Sequence, residues 1–170
     1  MLAEGKLLVG FDAVLDGKTT MLILGSMPSE ASLRAGEYYA HPRNRFWPLM
    51  ALLLTGEEKA PDDYRTRLKM IVSRHIGLWD AIASCRREGS LDSAICDETG
   101  NDFAALIEKY PQVTKIICNG AKSYACFKRF NKLLLMRGGL TVVAAPSTSP
   151  ANARYRMSEL AKKWGEALTL

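Results

Sequence analysis

Short apolar segments alternate with helical segments in the second half of this chain, and this order limits the fold more than any other feature of the sequence. KIICNG at 115–120 and LTVVAAP at 140–146 are apolar enough for strands that are buried on both faces. A helix is predicted between them over 121–132, and another after the second strand over 156–168. Strands joined by helices pair in parallel, so the pattern predicts an α/β protein whose mainly parallel sheet is covered on both faces.

The first half of the chain is predicted to contribute a β-hairpin and two helices. LLVGFDAVL and TTMLIL flank Asp16 and Gly17, a pair that favours a tight turn, so residues 7–24 are expected to form a hairpin with a deeply buried second strand. The other segments are predicted in chain order as a loop from Gly25 to Arg45, a helix at FWPLMALLL, a helix over 62–75, a loop with short pieces of structure over 78–101, and a helix over 102–110.

The composition is that of an ordinary folded protein. The chain has 170 residues, of which 48% are hydrophobic and 24% charged, so we expect one domain over residues 1–170 and no long disordered region. The longest apolar runs are far too short to cross a bilayer, and the N-terminus lacks the charged-then-apolar pattern of a secretion signal. A cytoplasmic protein with no membrane partner is therefore expected.

The formal net charge of +5 permits a polyanionic partner without requiring one. Basic residues concentrate between 115 and 137, where six occur and no acidic residue does. Two interpretations remain open. This segment gives the molecule a positive face, or its charges only keep an exposed helix in solution.

Four cysteines raise the question of a metal centre: Cys85, Cys96, Cys118 and Cys126. No pair has the C-x2-C spacing that lets two thiolates reach one ion, and separate free thiols fit a reducing compartment. The sequence therefore predicts neither a metal site nor a cofactor.

Polar loops are predicted at the ends of three strands. They are GSMPS at 25–29, Asn119 with Gly120, and PSTSPANAR at 146–154. The carboxyl ends of parallel strands meet at one edge of a sheet, where a crevice binds ligands. Gly, Pro and Ser hold loops whose amides point outward, so together these loops suit a phosphate or the polar edge of a base.

The loop EYYAHPRNRFW at 37–47 places two tyrosines, a histidine, two arginines and an asparagine between a strand and a helix. Aromatic rings interleaved with cationic side chains suit stacking on bases and contact with phosphates. The alternative is a buried aromatic plug, which we accept for Trp47 and leave open for Phe46.

These motifs resemble those of the uracil-DNA glycosylase superfamily. GSMPS, YYAHPRNRFW, NG and SPAN occur in the family's order across residues 20–160, and they resemble most the hypoxanthine-DNA (deoxyinosine) glycosylase branch. The mismatch-specific uracil or thymine DNA glycosylases also have a loop that reads AHP-x-NRFW. The resemblance implies a three-layer α/β/α fold with a four-stranded, mainly parallel sheet. It also implies removal of an altered base from double-stranded DNA by a protein that we expect to be a monomer.

Two positions depart from the superfamily pattern. Many relatives have Asn or Asp in the third position of the first motif to activate water, whereas this chain has Met27. The second motif usually has His or Asn before Pro, and here it is Ser149 before Pro150. Both departures are shared with the hypoxanthine branch, whose expected catalytic residue is the asparagine of HPRN, here Asn44.

The same resemblance assigns roles to other residues. Asn44 is expected to hold the attacking water through its amide carbonyl, Tyr39 to stack on the flipped base, and Asn119 to read the base edge. The implied site comprises base-binding Ser26, Met27, Tyr39, Phe46, Asn119, Ser147 and Ser149, and DNA-contacting His41, Arg43, Arg45, Lys122, Asn152 and Arg154.

Three segments complete the expected mechanism. Backbone amides of 26–28 and 147–149 are expected to bind the base and stabilise it as a leaving anion. Residues 151–155 match the loop that fills the gap left in the duplex.

Less specific roles remain possible for several of these residues. Asn44 or Asn119 could simply cap the helix that follows it, because Asn is a favoured N-cap residue. Asp80 in GLWD is a rival general base, although such an aspartate more often ties down backbone amides.

Three other functions also remain open. A uracil or thymine mismatch glycosylase would use the same loop. A catalytically silent nucleic-acid-binding domain would keep the scaffold but release no base from DNA. A hydrolase of free nucleosides would lack the steep salt dependence that phosphate contacts produce.

Overall fold

The computed structural model describes residues 5–169 of the chain. The strands are β1 (Leu7–Val9), β2 (Met21–Gly25), β3 (Ile76–Asp80), β4 (Ile82–Arg86), β5 (Cys96–Gly100), β6 (Lys115–Asn119) and β7 (Thr141–Ala145). The helices are α1 (Glu30–Ala35), α2 (Phe46–Thr55), α3 (Tyr64–Val72), α4 (Phe103–Lys109), α5 (Ala121–Phe130), α6 (Lys132–Met136) and α7 (Met157–Leu168).

Strand β2 lies at the centre of a four-stranded sheet. The strand order is β3-β2-β6-β7, and every neighbouring pair is parallel. All five residues of β2 are buried, because a parallel strand between two others has helices over both of its faces. The predicted parallel sheet is confirmed.

Successive side chains of β2 enter two different apolar cores. Met21 and Ile23 belong to a core that α2, α3 and α7 supply with aromatic side chains such as Trp47 and Trp164. Leu22 and Leu24 belong to a second core, to which α4 and α5 contribute residues that include Phe103 and Phe127. Alternate residues of a strand point to opposite faces, so the sheet separates two helical layers and the predicted three-layer arrangement is confirmed.

The predicted hairpin over residues 7–24 is wrong. Strand β1 pairs antiparallel with β4, in a second sheet of order β1-β4-β5. The turn itself does form, since Asp16 accepts hydrogen bonds from the backbone N–H groups of Lys18 and Thr19. It leads into the central strand without joining two paired strands.

Segment 78–101, predicted as mainly loop, contains most of β3 and all of β4 and β5. Strand β3 is apolar and buried, so it lacks the alternation that marks a half-exposed strand. Strands β4 and β5 pair with two shifts in register. Asp97 within β5 has a left-handed φ of 51°. These irregularities explain why no period is visible in the sequence.

Three helical boundaries also differ from the predictions. The loop from Gly25 to Arg45 contains α1, which Ser29 caps by accepting a hydrogen bond from the N–H of Ser32. The helix predicted over 62–75 spans only α3, whose N-cap is Asp63. The helix predicted over 121–132 is divided at Asn131 into α5 and α6. None of the helices within residues 5–169 is long and apolar enough to cross a membrane.

Candidate active site

A cavity of about 370 Å³ lies at the edge of the sheet where the parallel strands end. Gly25, Asp80 and Asn119 are the last residues of β2, β3 and β6, and all three line it. The loop before α2, the loop after β7 and the segment 90–93 line the remaining sides. This volume lies in the range of small-molecule pockets, about 300–1,000 Å³, and the position is where parallel α/β sheets bind ligands.

Most of the predicted base-contacting side chains meet at this cavity. The predicted residues that line it are Ser26, Met27, Tyr39, Asn44, Asn119, Ser147, Ser149 and Asn152. They come from four separate parts of the sequence. Of these, Met27 is buried among apolar side chains and offers no group that could activate water.

Asn44 contacts both the start of α2 and the loop after β7. Its Oδ1 accepts one hydrogen bond from the N–H of Phe46 and one from Oγ1 of Thr148, both at 2.9 Å. The N-cap position of α2 belongs to Arg45, but the Asn44 side chain satisfies the first N–H of the helix, and the same side chain lies on the cavity wall. A carbonyl oxygen has two acceptor positions, so a water bound by Oδ1 must displace or share one of these donors.

Thr148 is a residue that the sequence analysis missed. It is completely buried, and its Oγ1 accepts a hydrogen bond from Nδ2 of Asn119 at 2.9 Å while donating to Asn44. Its backbone N–H donates to Oδ1 of Asn119 at 2.9 Å, and its carbonyl oxygen accepts from the N–H of Arg45. Thr148 thus links Asn119 at the end of β6 to Asn44 before α2. Nothing in the run Ser-Thr-Ser indicates which hydroxyl points inward.

The backbone amides expected to bind the base are only partly available. The N–H of Thr148 donates to Asn119, and the N–H of Ser149 donates to Oγ of Ser147 at 3.2 Å. In the other loop, Pro28 has no N–H. Of the predicted backbone N–H groups, those of Ser26, Met27 and Ser147 remain available.

Tyr39 stands on a platform made by Phe46. The two rings are stacked, with centroids 3.9 Å apart and planes 24° from parallel. Phe46 is completely buried, and its ring also packs edge-on against Trp47 and Trp164. The structure therefore places Phe46 behind Tyr39 and away from the cavity. Direct contact between Phe46 and a base, as predicted, does not fit this position.

The Tyr39 backbone is held in the left-handed region, with a φ of 55°. This conformation is uncommon for a bulky side chain. Its hydroxyl group is buried and has no hydrogen-bond partner within residues 5–169. Burial raises the pKa of this hydroxyl well above its usual range, so the group stays protonated.

Asp80 lies at the floor of the cavity with a carboxyl group that is 3% exposed. No group in the described part of the chain forms a hydrogen bond with its Oδ2, so this oxygen does not tie down a backbone amide. Burial raises the pKa of the Asp80 carboxyl to about 7; the Arg87 guanidinium opposes the shift and Asp92 adds to it.

Two of the predicted DNA contacts are occupied by the protein itself. Lys122 forms an ion pair with Glu98, which also binds Nη2 of Arg129 at 2.8 Å. Arg45 donates to the carbonyl oxygens of Tyr155 and Asn152, at 2.5 and 2.6 Å. Lys122 is therefore not the unpaired cation that the prediction assumed, because the unpredicted strand β5 brings Glu98 beside it. Arg45 ties down the loop after β7.

The other predicted DNA contacts lie nearer the surface. Arg43 is exposed, and its N–H donates to Nδ1 of His41 at 3.1 Å. Arg154 is exposed and lies over the Tyr155 ring. Asn152 donates from Nδ2 to the carbonyl oxygen of Ser147 at 2.9 Å, which shapes the segment 151–155.

Residues 5–169 contain no group of three or more His, Cys, Asp or Glu side chains arranged to hold a metal ion. The four cysteines are free thiols. The chemistry available at the cavity is therefore that of amides, hydroxyl groups, an aromatic ring and one buried carboxyl group.

Comparison with known proteins identifies the family. Residues 13–168 match the model of the uracil DNA glycosylase superfamily. A hypoxanthine DNA glycosylase of Methanosarcina acetivorans is 43% identical over 146 residues, which cover 86% of this chain and 89% of that protein. A hypoxanthine DNA glycosylase of Methanosarcina barkeri is 37% identical over 158 residues, or 93% of this chain and 96% of that protein.

A solved structure supports the same assignment. It is the solution NMR structure of a protein from Methanosarcina acetivorans described as a uracil DNA glycosylase, with a TM-score of 0.77 and 38% sequence identity. The match covers 96% of this chain and all of that one. The family model, the curated relatives and the shared fold agree with the motifs at the cavity, and the chain belongs to the uracil DNA glycosylase superfamily.

Proposed function

We propose that this protein is a DNA glycosylase that removes deaminated bases from double-stranded DNA, with hypoxanthine as its principal substrate. One observation carries the proposal. Asn44, Asn119 and Tyr39 line one cavity at the sheet edge, in a chain whose curated relatives are named hypoxanthine DNA glycosylases. The damaged nucleotide leaves the helix stack and its base enters this cavity.

The reaction replaces the N-glycosidic bond by a bond to water. The bond between C1′ of deoxyribose and N9 of hypoxanthine breaks, and the electron pair leaves with the base. A water oxygen bonds to C1′, one water proton passes to solvent, and the departing base takes up a proton. The transition state is highly dissociative, so the water needs orientation more than it needs a strong base.

Asn44 is the residue proposed to orient this water. An amide is a poor base but a good hydrogen-bonding group, and the contacts of Asn44 with Phe46 and Thr148 fix its side chain. Tyr39, backed by Phe46, offers a rigid face for stacking on the base. Ser26 and Met27 can donate backbone N–H groups to the negative charge that develops on the base.

Contacts with the phosphates are assigned to side chains in the loops beside the cavity. His41 and the exposed Arg43 precede Asn44 in the same loop, and the exposed Arg154 lies in the loop after β7. The loop 151–155 is proposed to occupy the gap that the flipped base leaves. We further propose that the protein is a cytoplasmic monomer in which residues 1–170 form one domain and no cofactor takes part.

The decisive experiment uses a panel of duplexes that each contain one altered base. The protein is incubated with duplexes bearing hypoxanthine, uracil, xanthine or ethenocytosine, and abasic sites are detected as strand breaks after heating in alkali. We expect the fastest strand breakage with hypoxanthine. A silent DNA-binding domain would give no breaks with any duplex, and a nucleoside hydrolase would release hypoxanthine from free deoxyinosine.

A further inference from the structure

Two buried polar atoms at the cavity have no partner within residues 5–169. They are Oδ2 of Asp80 and the hydroxyl oxygen of Tyr39, and both residues line the cavity. More than 90% of buried polar groups in folded proteins are hydrogen-bonded, because an unpaired one is costly. An unpaired carboxylate oxygen beside an unpaired hydroxyl group therefore indicates a place where a ligand supplies the missing partner.

Gly25 keeps the space beside the Asp80 carboxyl group open. A Cβ atom at Gly25 would lie 2.5 Å from Oδ1 of Asp80 and 3.4 Å from the hydroxyl oxygen of Tyr39. Its φ is not in the left-handed region, so space and not backbone conformation requires glycine here. The end of β2 is thus built to leave room around the carboxyl group.

Three other side-chain oxygens at the cavity already accept hydrogen bonds from the protein. Oδ1 of Asn119 accepts from the N–H of Thr148, and Oδ1 of Asn44 has two donors. Oδ1 of Asp92 accepts from Oγ of Ser26 at 2.5 Å. Within residues 5–169, Asp80 is the buried carboxylate on the cavity wall and its Oδ2 has no donor, whereas the Asp92 side chain is exposed to solvent.

Deamination changes a base in a way that a carboxylate can detect. Adenine has an acceptor at N1, with a lone pair and no hydrogen. Hypoxanthine has an N1–H donor next to a carbonyl oxygen, and uracil has the corresponding N3–H. A carboxylate accepts hydrogen bonds strongly and, when ionised, donates none. It attracts the ring N–H of a deaminated base and repels the bare ring nitrogen of adenine.

We propose that Asp80 is a specificity-determining residue that accepts the ring N–H created by deamination, N1–H in the case of hypoxanthine. This inference rests on the proposed function, since it places the flipped base in the same cavity. It assigns the recognition of deaminated bases to a carboxylate at the end of β3. A site built to bind a substrate N–H rejects analogues that lack it much more strongly than an apolar pocket rejects an altered shape.

The test compares two bases that differ at N1 alone. Duplexes of identical sequence carry either hypoxanthine or 1-methylhypoxanthine, in which a methyl group replaces the N1 hydrogen, and single-turnover excision rates are measured above pH 8. The wild-type protein is expected to excise hypoxanthine about 100-fold faster or more. In Asp80→Ala this ratio is expected to fall at least about 10-fold, because the acceptor is lost and the methyl group gains room.

Two further variants test whether the carboxylate itself, and the space around it, produce the discrimination between the two bases. Asp80→Asn preserves the shape of the side chain, and we expect it to slow hypoxanthine excision while narrowing the same ratio. Gly25→Ala leaves Asp80 in the sequence but crowds its carboxyl group, and it is expected to narrow the ratio as well. Asp62→Asn is the matched control, because Asp62 is highly exposed and pairs with Lys59 at the surface; its rates and ratio should equal those of the wild type.

The outcomes separate this inference from the proposed function. A ratio that stays constant while both rates fall in the Asp80 variants overturns the specificity role, since a purely structural residue affects both substrates alike. Unchanged rates in those variants overturn it too. In either case the wild-type protein still excises hypoxanthine, and the proposed function stands. If the wild type releases no hypoxanthine, the proposed function and the Asp80 inference fail together.

Discussion

The Asn44 side chain joins the first turn of α2 to the cavity through a single oxygen atom. Its Oδ1 accepts from the N–H of Phe46, which leaves that helix start satisfied, and from Thr148, which fixes the rotation of the amide. Holding the helix start and orienting a water therefore depend on the same oxygen, and the proposed water must share or displace one of its two donors. A substitution at Asn44 affects both, and an experiment has to separate them.

Asn44→Ala is expected to lower hypoxanthine excision by at least ~100-fold, because a misplaced reactant costs about that much in rate. Its dissociation constant for damaged DNA should change little, since the phosphate contacts remain. Loss of the contact with Phe46 should reduce the free energy of unfolding by about 1 kcal/mol. Single-turnover kinetics, DNA binding and thermal unfolding measure the three effects.

Asn44→Asp is the control for the capping contribution. It retains an oxygen acceptor for both Phe46 and Thr148, so we expect its free energy of unfolding to match that of the wild type. Asn44→Ala that excises hypoxanthine at the full rate would remove Asn44 from the mechanism.

Thr148 is expected to act as a positioning residue, because its hydroxyl group lies between two amides and does not itself reach a base in the proposed mechanism. Thr148→Val keeps the shape but removes the acceptor of Asn119 Nδ2 and one of the two donors to Asn44 Oδ1, at a cost of about 1–3 kcal/mol in stability. The excision rate should fall about 10-fold or more, with little change in the dissociation constant for DNA.

Thr148→Ser tests whether the hydroxyl group is responsible. It retains the hydroxyl and loses only a methyl group, so most of the excision rate should return. If Thr148→Ser is as slow as Thr148→Val, packing by the methyl group and not the hydrogen-bond chain explains the effect.

At the scale of elements, three of the four parallel strands were predictable, whereas β3 and the small antiparallel sheet were not. The segment at β6 is a short apolar run followed by a turn, which is what a buried parallel strand requires. Strand β5 has the sequence CDETG, with two acidic residues and one left-handed residue, Asp97. It forms a strand because it pairs with β4, and its own residues show no alternation of apolar and polar side chains that would predict a strand.

The missed strand β5 also supplies a partner to one predicted site residue. Glu98 lies on β5 and pairs with Lys122 and Arg129 on α5. The sequence around Lys122 is basic, which favours a phosphate contact. It does not reveal that β5 brings an acidic side chain beside Lys122. The ion pair joins residues that are distant in sequence, and local sequence contains no information about such a contact.

The two arginines beside Asn44 are expected to differ in how they affect DNA binding. Arg43 is exposed, whereas the guanidinium group of Arg45 binds two carbonyl oxygens of the segment after β7. Arg43→Met should reduce the slope of log binding constant against log salt concentration by about 1, since one phosphate contact is lost. Arg45→Met should leave that slope unchanged.

Arg45→Met should instead loosen the loop it holds. We expect faster amide hydrogen exchange in residues 151–155 and slower excision, because the segment that enters the duplex is no longer fixed. A reduced salt slope for Arg45→Met would show that Arg45 contacts phosphate after all. A normal slope for Arg43→Met would remove Arg43 from the DNA interface.

At the scale of the whole molecule, the parallel sheet brings four strand ends to one edge, and the helical layers bury the residues that stand there. This architecture buries Asp80 away from solvent, which is unusual for a carboxyl group. Isolated buried charges cost free energy. The buried Asp80 carboxylate therefore lowers the free energy of unfolding at the position where the proposed function needs a hydrogen-bond acceptor. The size of this loss can be measured.

Stability should depend on pH through Asp80. Its pKa is about 7 in the folded protein and about 4 in an unfolded chain, so between these values the folded state binds the extra proton. The free energy of unfolding contributed by this group falls as pH rises from about 4 to 7, and the full cost persists above pH 7. Arg87 and Asp92 are the charged groups that act on the carboxyl group, and both remain in the variant.

Asp80→Asn cannot ionise, so it should be more stable than the wild type at pH 8, by up to about 4 kcal/mol from the size of the pKa shift. The difference should shrink as the pH falls and vanish near pH 4. Thermal unfolding of both proteins between pH 4 and 8 measures it, with Asp62→Asn as the surface control. A stability difference that does not vary with pH would show that Asp80 titrates normally, and the open space beside Gly25 would then be filled by water that solvates an ordinary carboxylate.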